Sequence, residues 1–355
     1  MVVHNPNNWH WVGKNCIYWA NEYMTQKLVG IKAEDAHSKV EITKVLSIEG
    51  DCEVNQRKGK VISLFDLKIS LEFCGKLLND DNETYQGSIT VPEVAFDSDF
   101  DDYQFEISIY KETPKLSDFV KPLIRSKIIP QLREVFSNFG GDLLIQQGGD
   151  IQVPEEQVES QFTKQNQVES FNSVSTTNKG GSGGGIVITE NKILKNSASG
   201  AKDGGNNANV PKYNSTTVYL EPTFNAPAEE LYKTFTIKDR IGAWTKSELV
   251  CVENQSSPVI KKGDSFTLFG GNIACELVNS QENEKLTFKW RLKDWKPDYY
   301  SLMNLEFHES PEYSETKIKV NWEKVPIGEE DTCRSNFEEL YVKSIKLTFG
   351  FGSVL

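Results

Sequence analysis

The stretch Asn55-Gln56-Arg57-Lys58-Gly59-Lys60-Val61-Ile62-Ser63-Leu64-Phe65-Asp66-Leu67-Lys68-Ile69-Ser70-Leu71-Glu72-Phe73 decides how this chain is read. Phe65, Leu67, Ile69, Leu71 and Phe73 alternate with Asp66, Lys68, Ser70 and Glu72, the period of a strand with one buried face. The odd-numbered side chains belong to the core. Ile62 and Leu64 fall on the other parity, with Asp66 and Lys68, on the face expected to meet water. Two bulky aliphatics there, beside Arg57, Lys58 and Lys60, predict a docking patch for a protein partner. The alternative is that a second layer covers them. A phosphate cradle is disfavoured, because a single glycine sits here and no Gly-Lys-Ser/Thr follows.

Upstream, Cys16 to Val29 reads as a helix with Ile17, Ala20, Tyr23 or Met24, and Leu28 on one side, capped by Asn15 and ended by Gly30. Strands are predicted at Val40–Ile48, Val61–Phe73, Tyr85–Val91 and Tyr103–Ile109, with an Asp/Asn turn at Asn79–Asn82. Lys115 to Phe139 is a long helical pattern interrupted by Pro122 and Pro130, so a kink or break is expected, with Gly140-Gly141 closing it. Residues 1–153 thus predict a helix, antiparallel-sheet, helix domain of the α+β class.

From 154 to 215 the periodicity dissolves into Gln, Asn, Ser, Thr and Lys, with Gly180-Gly181-Ser182-Gly183-Gly184-Gly185 at its centre; this predicts a flexible linker spanning on the order of 40–50 Å. Residues 216–355 form a second α+β domain. It begins with a strand at Thr217–Leu220 and two short helices carrying Leu231, Phe235 and Arg240–Trp244. Amphipathic strands follow, in which Trp290, Met303, Leu305, Val320 and Trp322 oppose polar partners. A helix from Glu329 to Thr348 covers the sheet, with Phe337, Leu340, Tyr341, Ser344, Ile345 and Thr348 on its inner face and acids at its N-terminus. That combination is a helix-grip shape.

Composition bounds the function. The chain has 355 residues, 38% hydrophobic and 25% charged, enough for two cores and ordinary for a soluble protein. A net charge of −12 argues against general nucleic-acid binding. No run of apolar residues is long enough to span a bilayer, and Met1–Asn8 does not read as a secretory signal. Six scattered cysteines without a CxxC pair predict reduced, mostly buried thiols and a cytosolic setting. Four histidines without ligand spacing predict no metal site. No HExxH, nucleophile elbow or Walker motif is present, and Asp97-Ser98-Asp99-Phe100-Asp101-Asp102 reads as a solvated loop, so no enzymatic activity and no cofactor are expected. The opening segment Asn5-Pro6-Asn7-Asn8-Trp9-His10-Trp11 cannot sit comfortably in a helix. Its tryptophans either fold back on the first core or stay exposed to bind something.

The chain resembles the activators of heat shock protein 90 ATPase, cytosolic co-chaperones, in their fungal form. The resemblance rests on Asn5-x-Asn7-Asn8-Trp9-His10-Trp11, Arg57-Lys58-Gly59-Lys60, Phe269-Gly270-Gly271-Asn272, Trp290-Arg291-Leu292-Lys293-Asp294-Trp295 and Phe349-Gly350-Phe351-Gly352. It covers both domains and leaves out the linker. It implies that the N-terminal domain binds the middle segment of the chaperone through Asp51, Arg57, Lys58, Lys60, Ile62, Leu64, Phe96 and Asp97. It implies too that Asn5, Asn7, Asn8, Trp9, His10 and Trp11 act on nucleotide handling. A C-terminal domain similar to the Bet v 1 and START-like proteins is implied to touch the nucleotide-binding domains of the chaperone dimer, the chain itself being a monomer. The other classes considered are a carrier of a small hydrophobic ligand in the helix-grip cavity and an ATP-independent holdase.

Overall fold

The computed structural model describes residues 5–78, 83–177, 215–251 and 257–352. The Asn79–Asn82 turn and the glycine run at 180–185 lie outside these residues. Two antiparallel sheets, each with its own hydrophobic core, organise the described chain.

The first sheet has strands β1 (Val12–Asn15), β2 (Lys32–Glu34), β3 (Ser38–Arg57), β4 (Lys60–Leu77), β5 (Thr84–Ala95) and β6 (Glu106–Ile109), in the order β1-β3-β4-β5-β6 with β2 beside β3. The predicted alternation of β4 holds: Phe65, Leu67, Ile69, Leu71 and Phe73 are all buried. β3 runs nine residues past the expected Ile48, because Arg57 pairs with Lys60 across a two-residue turn. Lys58 (φ 52°) and Gly59 (φ 82°) both take the left-handed conformation that such hairpin turns demand. The last strand is shorter than the 103–109 alternation suggested. Tyr103 precedes it and is buried edge-on against Phe136, with ring centroids 5.5 Å apart, so its apolar period reflects a core-inserted loop.

Helix α1 (Ile17–Leu28) has Cys16, not the expected Asn15, at its cap position; Asn15 lies one residue earlier, and its Oδ1 accepts from the Ile17 amide at 3.0 Å. The long helical pattern breaks as anticipated, into α2 (Pro114–Leu123), a π turn (Ile124–Ile128) and α3 (Ile129–Gln147). Gly140-Gly141 does not close α3. The helix continues through it because Gly140 lets the backbone approach Phe65, whose ring would lie 3.1 Å from an added Cβ. The reward is an aromatic cluster: Phe139 meets Phe65 edge-on at 4.8 Å and stacks on Trp19 at 5.6 Å.

Residues 161–177, inside the stretch expected to be coil, form helix α4 (Gln161–Thr177). It escaped the periodicity because it has no apolar stripe. Thr163 and Ser170 are buried against the β3–β4 turn.

The second sheet contains β7 (Ser215–Leu220), β8 (Thr223–Phe224), β9 (Val250–Cys251), β10 (Ser265–Leu268), β11 (Ile273–Gln281), β12 (Lys285–Leu292), β13 (Ser301–Ser310) and β14 (Glu315–Pro326), with α5 (Ala228–Thr236) and α6 (Lys238–Thr245) after β8. The closing helix is α7 (Glu330–Asn336), a π turn (Phe337–Lys343) and α8 (Ser344–Phe349). Cys333, Phe337, Tyr341 and Ile345 are its buried residues, four apart throughout, as the wider π turn allows. Thr348, expected on that face, is exposed, because the contact ends one turn earlier. Trp290 and Trp322 point inward at 4.6 Å edge-to-face, and their indole N–H groups donate to Tyr341 and Ser301. Lys317 and Lys319, on the polar face of β14 opposite Val320 and Trp322, are 11% and 12% exposed because the first domain covers them. An alternating strand cannot distinguish water from a polar neighbour.

Two outcomes test this packing. Phe139→Ala should cost about 3–5 kcal/mol in denaturant unfolding of the first domain. Burial pushes the Cys52 and Cys333 thiols up to about 12 and raises Cys16 and Cys275 as well, so little thiolate exists at pH 8. Among the described cysteines, iodoacetamide should therefore modify half-buried Cys74 first and the others only on unfolding.

Candidate partner-docking surface

The β3–β4 turn gathers the two motifs that lie half a hundred residues apart in sequence. Asn5 Nδ2 donates to Gln56 Oε1 (2.9 Å) and to His10 O (3.0 Å), and Asn5 Oδ1 accepts from the His10 amide (2.9 Å). Asn8 O accepts from the Gly59 amide (2.8 Å) and from Gln56 Nε2, while the Lys58 amide donates to Trp9 O (3.2 Å). The Asn8 side chain accepts from the Val153 amide (2.7 Å) and donates to Val153 O (2.9 Å). Asn7 Oδ1 takes the Glu159 amide at 2.7 Å. Asn5 and Asn8 are buried, so these three asparagines hold the segment in place and leave its rings outside.

Trp9 and Trp11 are 46% and 58% exposed, and His10 is exposed with them. The fold-back alternative is therefore not what the structure shows. Lys58 Nζ lies 5.2 Å from the Trp9 ring centre, so the aromatic and basic motifs form one surface. Arg57, Lys58 and Lys60 are all exposed around the turn.

Below the turn, Lys60, Ile62, Leu64 and Phe96 line an open groove of about 510 Å³ with Leu144, Asn166 and Glu169. Ile62 and Leu64 are half-buried and Phe96 is 57% exposed. The covering layer considered for the two aliphatics is partial: α4 walls one side and leaves the other open. Asp51 and Asp97 do not line the groove. Asp51 is exposed on β3 opposite Asp66, which in turn faces Ala95, and Asp97 is exposed just beyond that strand end. The surface thus runs from a basic, aromatic tip through an apolar groove to an acidic row. Gln56, Asn166 and Glu169 were missed by sequence reasoning. The Lys-Gly pair between two strand-like runs was the available signal for the first, and Ser160 as a helix start, accepting from the Thr163 amide, for the others.

The helix-grip cavity is nearly filled. About 20 Å³ remains between Phe235, Trp244, Phe288, Met303 and Tyr341, room for little more than one water-sized probe. Among the described residues, no cluster of three or more His, Cys, Asp or Glu could hold a metal ion, and no helix is long and apolar enough to cross a membrane.

Residues 13–147 match the model of the family "Activator of Hsp90 ATPase, N-terminal", and residues 225–350 match "Activator of Hsp90 ATPase homolog 1-like protein". The chain is 51% identical over its whole length and the whole length of the "Hsp90 co-chaperone AHA1" of Saccharomyces cerevisiae. It is 23% identical to the human "Activator of 90 kDa heat shock protein ATPase homolog 1" over 99% of this chain and 94% of that protein. A third relative, the "Hsp90 co-chaperone HCH1" of S. cerevisiae, is 36% identical and matches 43% of this chain across its own full length. The chain belongs to the family of activators of Hsp90 ATPase.

Proposed function

We propose that this chain is a co-chaperone that binds the Hsp90 dimer through both domains and speeds its ATP hydrolysis without catalysing any reaction itself. The observation that carries the reading is the joining of Trp9, His10 and Trp11 to Arg57, Lys58 and Lys60 on one turn, directly above the groove of Ile62, Leu64 and Phe96. An apolar centre between opposite charges orients a transient partner and raises its on-rate without a permanently sticky face. On this reading the groove, with Asp51 and Asp97 at its acidic end, takes the chaperone's middle segment. The exposed tryptophans act on nucleotide handling, and the second domain reaches the nucleotide-binding domains.

The mechanism is a population shift. Tighter binding to the closed, N-terminally dimerised chaperone raises the share of that state, and a coupling of about 1–3 kcal/mol gives roughly 5- to 150-fold acceleration. Kinship with an Hsp90 co-chaperone supports a cytosolic site of action. The 20 Å³ cavity speaks against a lipid or sterol carrier, whose pockets run to several hundred Å³.

Steady-state ATP hydrolysis by purified Hsp90, with and without the full chain, tests the proposal: stimulation is expected, and its absence with a folded chain refutes it. Lys60→Glu should weaken binding about tenfold, ~1.4 kcal/mol, and shift half-maximal stimulation by the same factor. Trp11→Ala should leave the affinity within a few-fold while lowering maximal stimulation. Equal losses of affinity in both variants, read by calorimetry beside the hydrolysis assay, contradict this division of labour.

A further inference from the structure

The face of the first sheet that carries Ile62 and Leu64 at one end is covered at the other end by the second domain. Among the described residues, three ion pairs cross between the domains, each with its cation on the second domain and its anion on the first. Arg334 pairs with Glu49 and Lys319 with Glu72, while Lys317 lies 3.4 Å from Glu112 and donates to Ser108 Oγ (3.1 Å) and Ile109 O (3.0 Å). One anion runs the other way: Glu221 accepts from the hydroxyls of Ser88 (2.5 Å) and Ser108. Between them, Tyr110 and Tyr219 share a hydroxyl–hydroxyl bond of 2.8 Å, and Tyr110 stacks on His308 at 4.6 Å.

This contact has the build of a reversible interface. Ion pairs and hydrogen bonds surround the buried tyrosine pair there, whereas each domain's own core is apolar. Glu49 Oε1 and Asn321 Oδ1 are buried without hydrogen-bond partners, and a cavity of about 290 Å³ persists between Lys68 and Ser70 on one side and Tyr219 and Arg334 on the other. Oriented charge makes the closed pose specific, while the imperfect fit keeps it easy to leave.

Its position gives it a consequence. Leu64 and Lys68 are four residues apart on β4, roughly 13 Å along the strand. A partner burying about 800 Å² of its own surface covers a patch roughly 30 Å across. Centred on Leu64, such a patch reaches the rim of the docked second domain. We infer that the interdomain ion pairs form an electrostatic latch: the free chain closes on itself, and the latch must open before a partner can use the whole outer face and grip with both domains. The latch stands on this interface alone. Its effect on stimulation rests on the co-chaperone reading.

Small-angle scattering of the full chain, without any partner, tests the latch. The wild type should be compact at low salt, with a radius of gyration near ~20 Å for 355 residues. Lys319→Glu should raise it by roughly a fifth, and high salt by less, because pairs this buried are screened only weakly. Adding Glu72→Lys to Lys319→Glu should restore the compact form, which separates latch opening from damage to the fold. An extended wild type, indifferent to Lys319→Glu and to salt, overturns the latch. In the Hsp90 hydrolysis assay the opened variant should reach half-maximal stimulation at a severalfold lower concentration, and the double variant should return to the wild-type value. A compact wild type that Lys319→Glu opens, with an unchanged half-maximal concentration, overturns the restraint on partner binding. Lack of stimulation by every form counts against the co-chaperone reading and leaves the scattering result standing.

Discussion

The carbonyl of Asn8 is the smallest part on which the docking end depends. It takes the amide of Gly59 and the side chain of Gln56, while the Asn8 side chain clasps both backbone groups of Val153. Three chain segments, from the N-terminus, the hairpin tip and the start of the linker, therefore meet at one residue that is fully buried. Each bond satisfies a backbone or amide group that burial would otherwise strand, at about 1–3 kcal/mol apiece if left unmade. The arrangement explains how two tryptophans can stay exposed at a terminus and still be held in place. Their neighbours carry the fixing contacts, so the rings are left for a partner.

The cores of the two domains and the joint between them meet their polar obligations differently. The cores are built on inward aromatic rings, and the indole N–H groups of Trp290 and Trp322 donate to Tyr341 and Ser301. The joint between the domains is built on charge, with carboxylates of one sheet set against ammonium and guanidinium groups of the other. Apolar cores hold each domain together through any motion of the joint. A charged joint can open, because water solvates both halves when they separate.

Much of this was legible in the residues. The parity of Phe65 to Phe73 placed the first core, the prolines marked the break before Ile129, and Trp290 and Trp322 were read inward. The misses have physical causes. β3 continues past the predicted Ile48 through Glu49-Gly50-Asp51, whose carboxylates face the second domain and an open face rather than a turn. Helix α4 was invisible because it docks through Thr163 and Ser170, which leave no hydrophobic period. The burial of Lys317 and Lys319 could not be read, since water and a facing carboxylate favour the same residues. The asparagines of the opening segment were grouped with the tryptophans by motif, and only the hydrogen bonds separate those that support from those that are presented.

The left-handed turn at Lys58-Gly59 has a further bearing on how the first domain assembles. It joins β3 to β4 with two residues, so the loop that must close to start the pairing is among the cheapest in the chain. Pairing can then zip from Arg57 and Lys60 down to Ser38 and Leu77 by local steps, each bringing together residues only slightly farther apart in sequence. The tip that meets a partner is thus also where the sheet can most readily nucleate. Natural variation at that turn answers to the rate of folding as well as to recognition, and Gly59, pressed against the backbone of Thr163, has the least freedom to change.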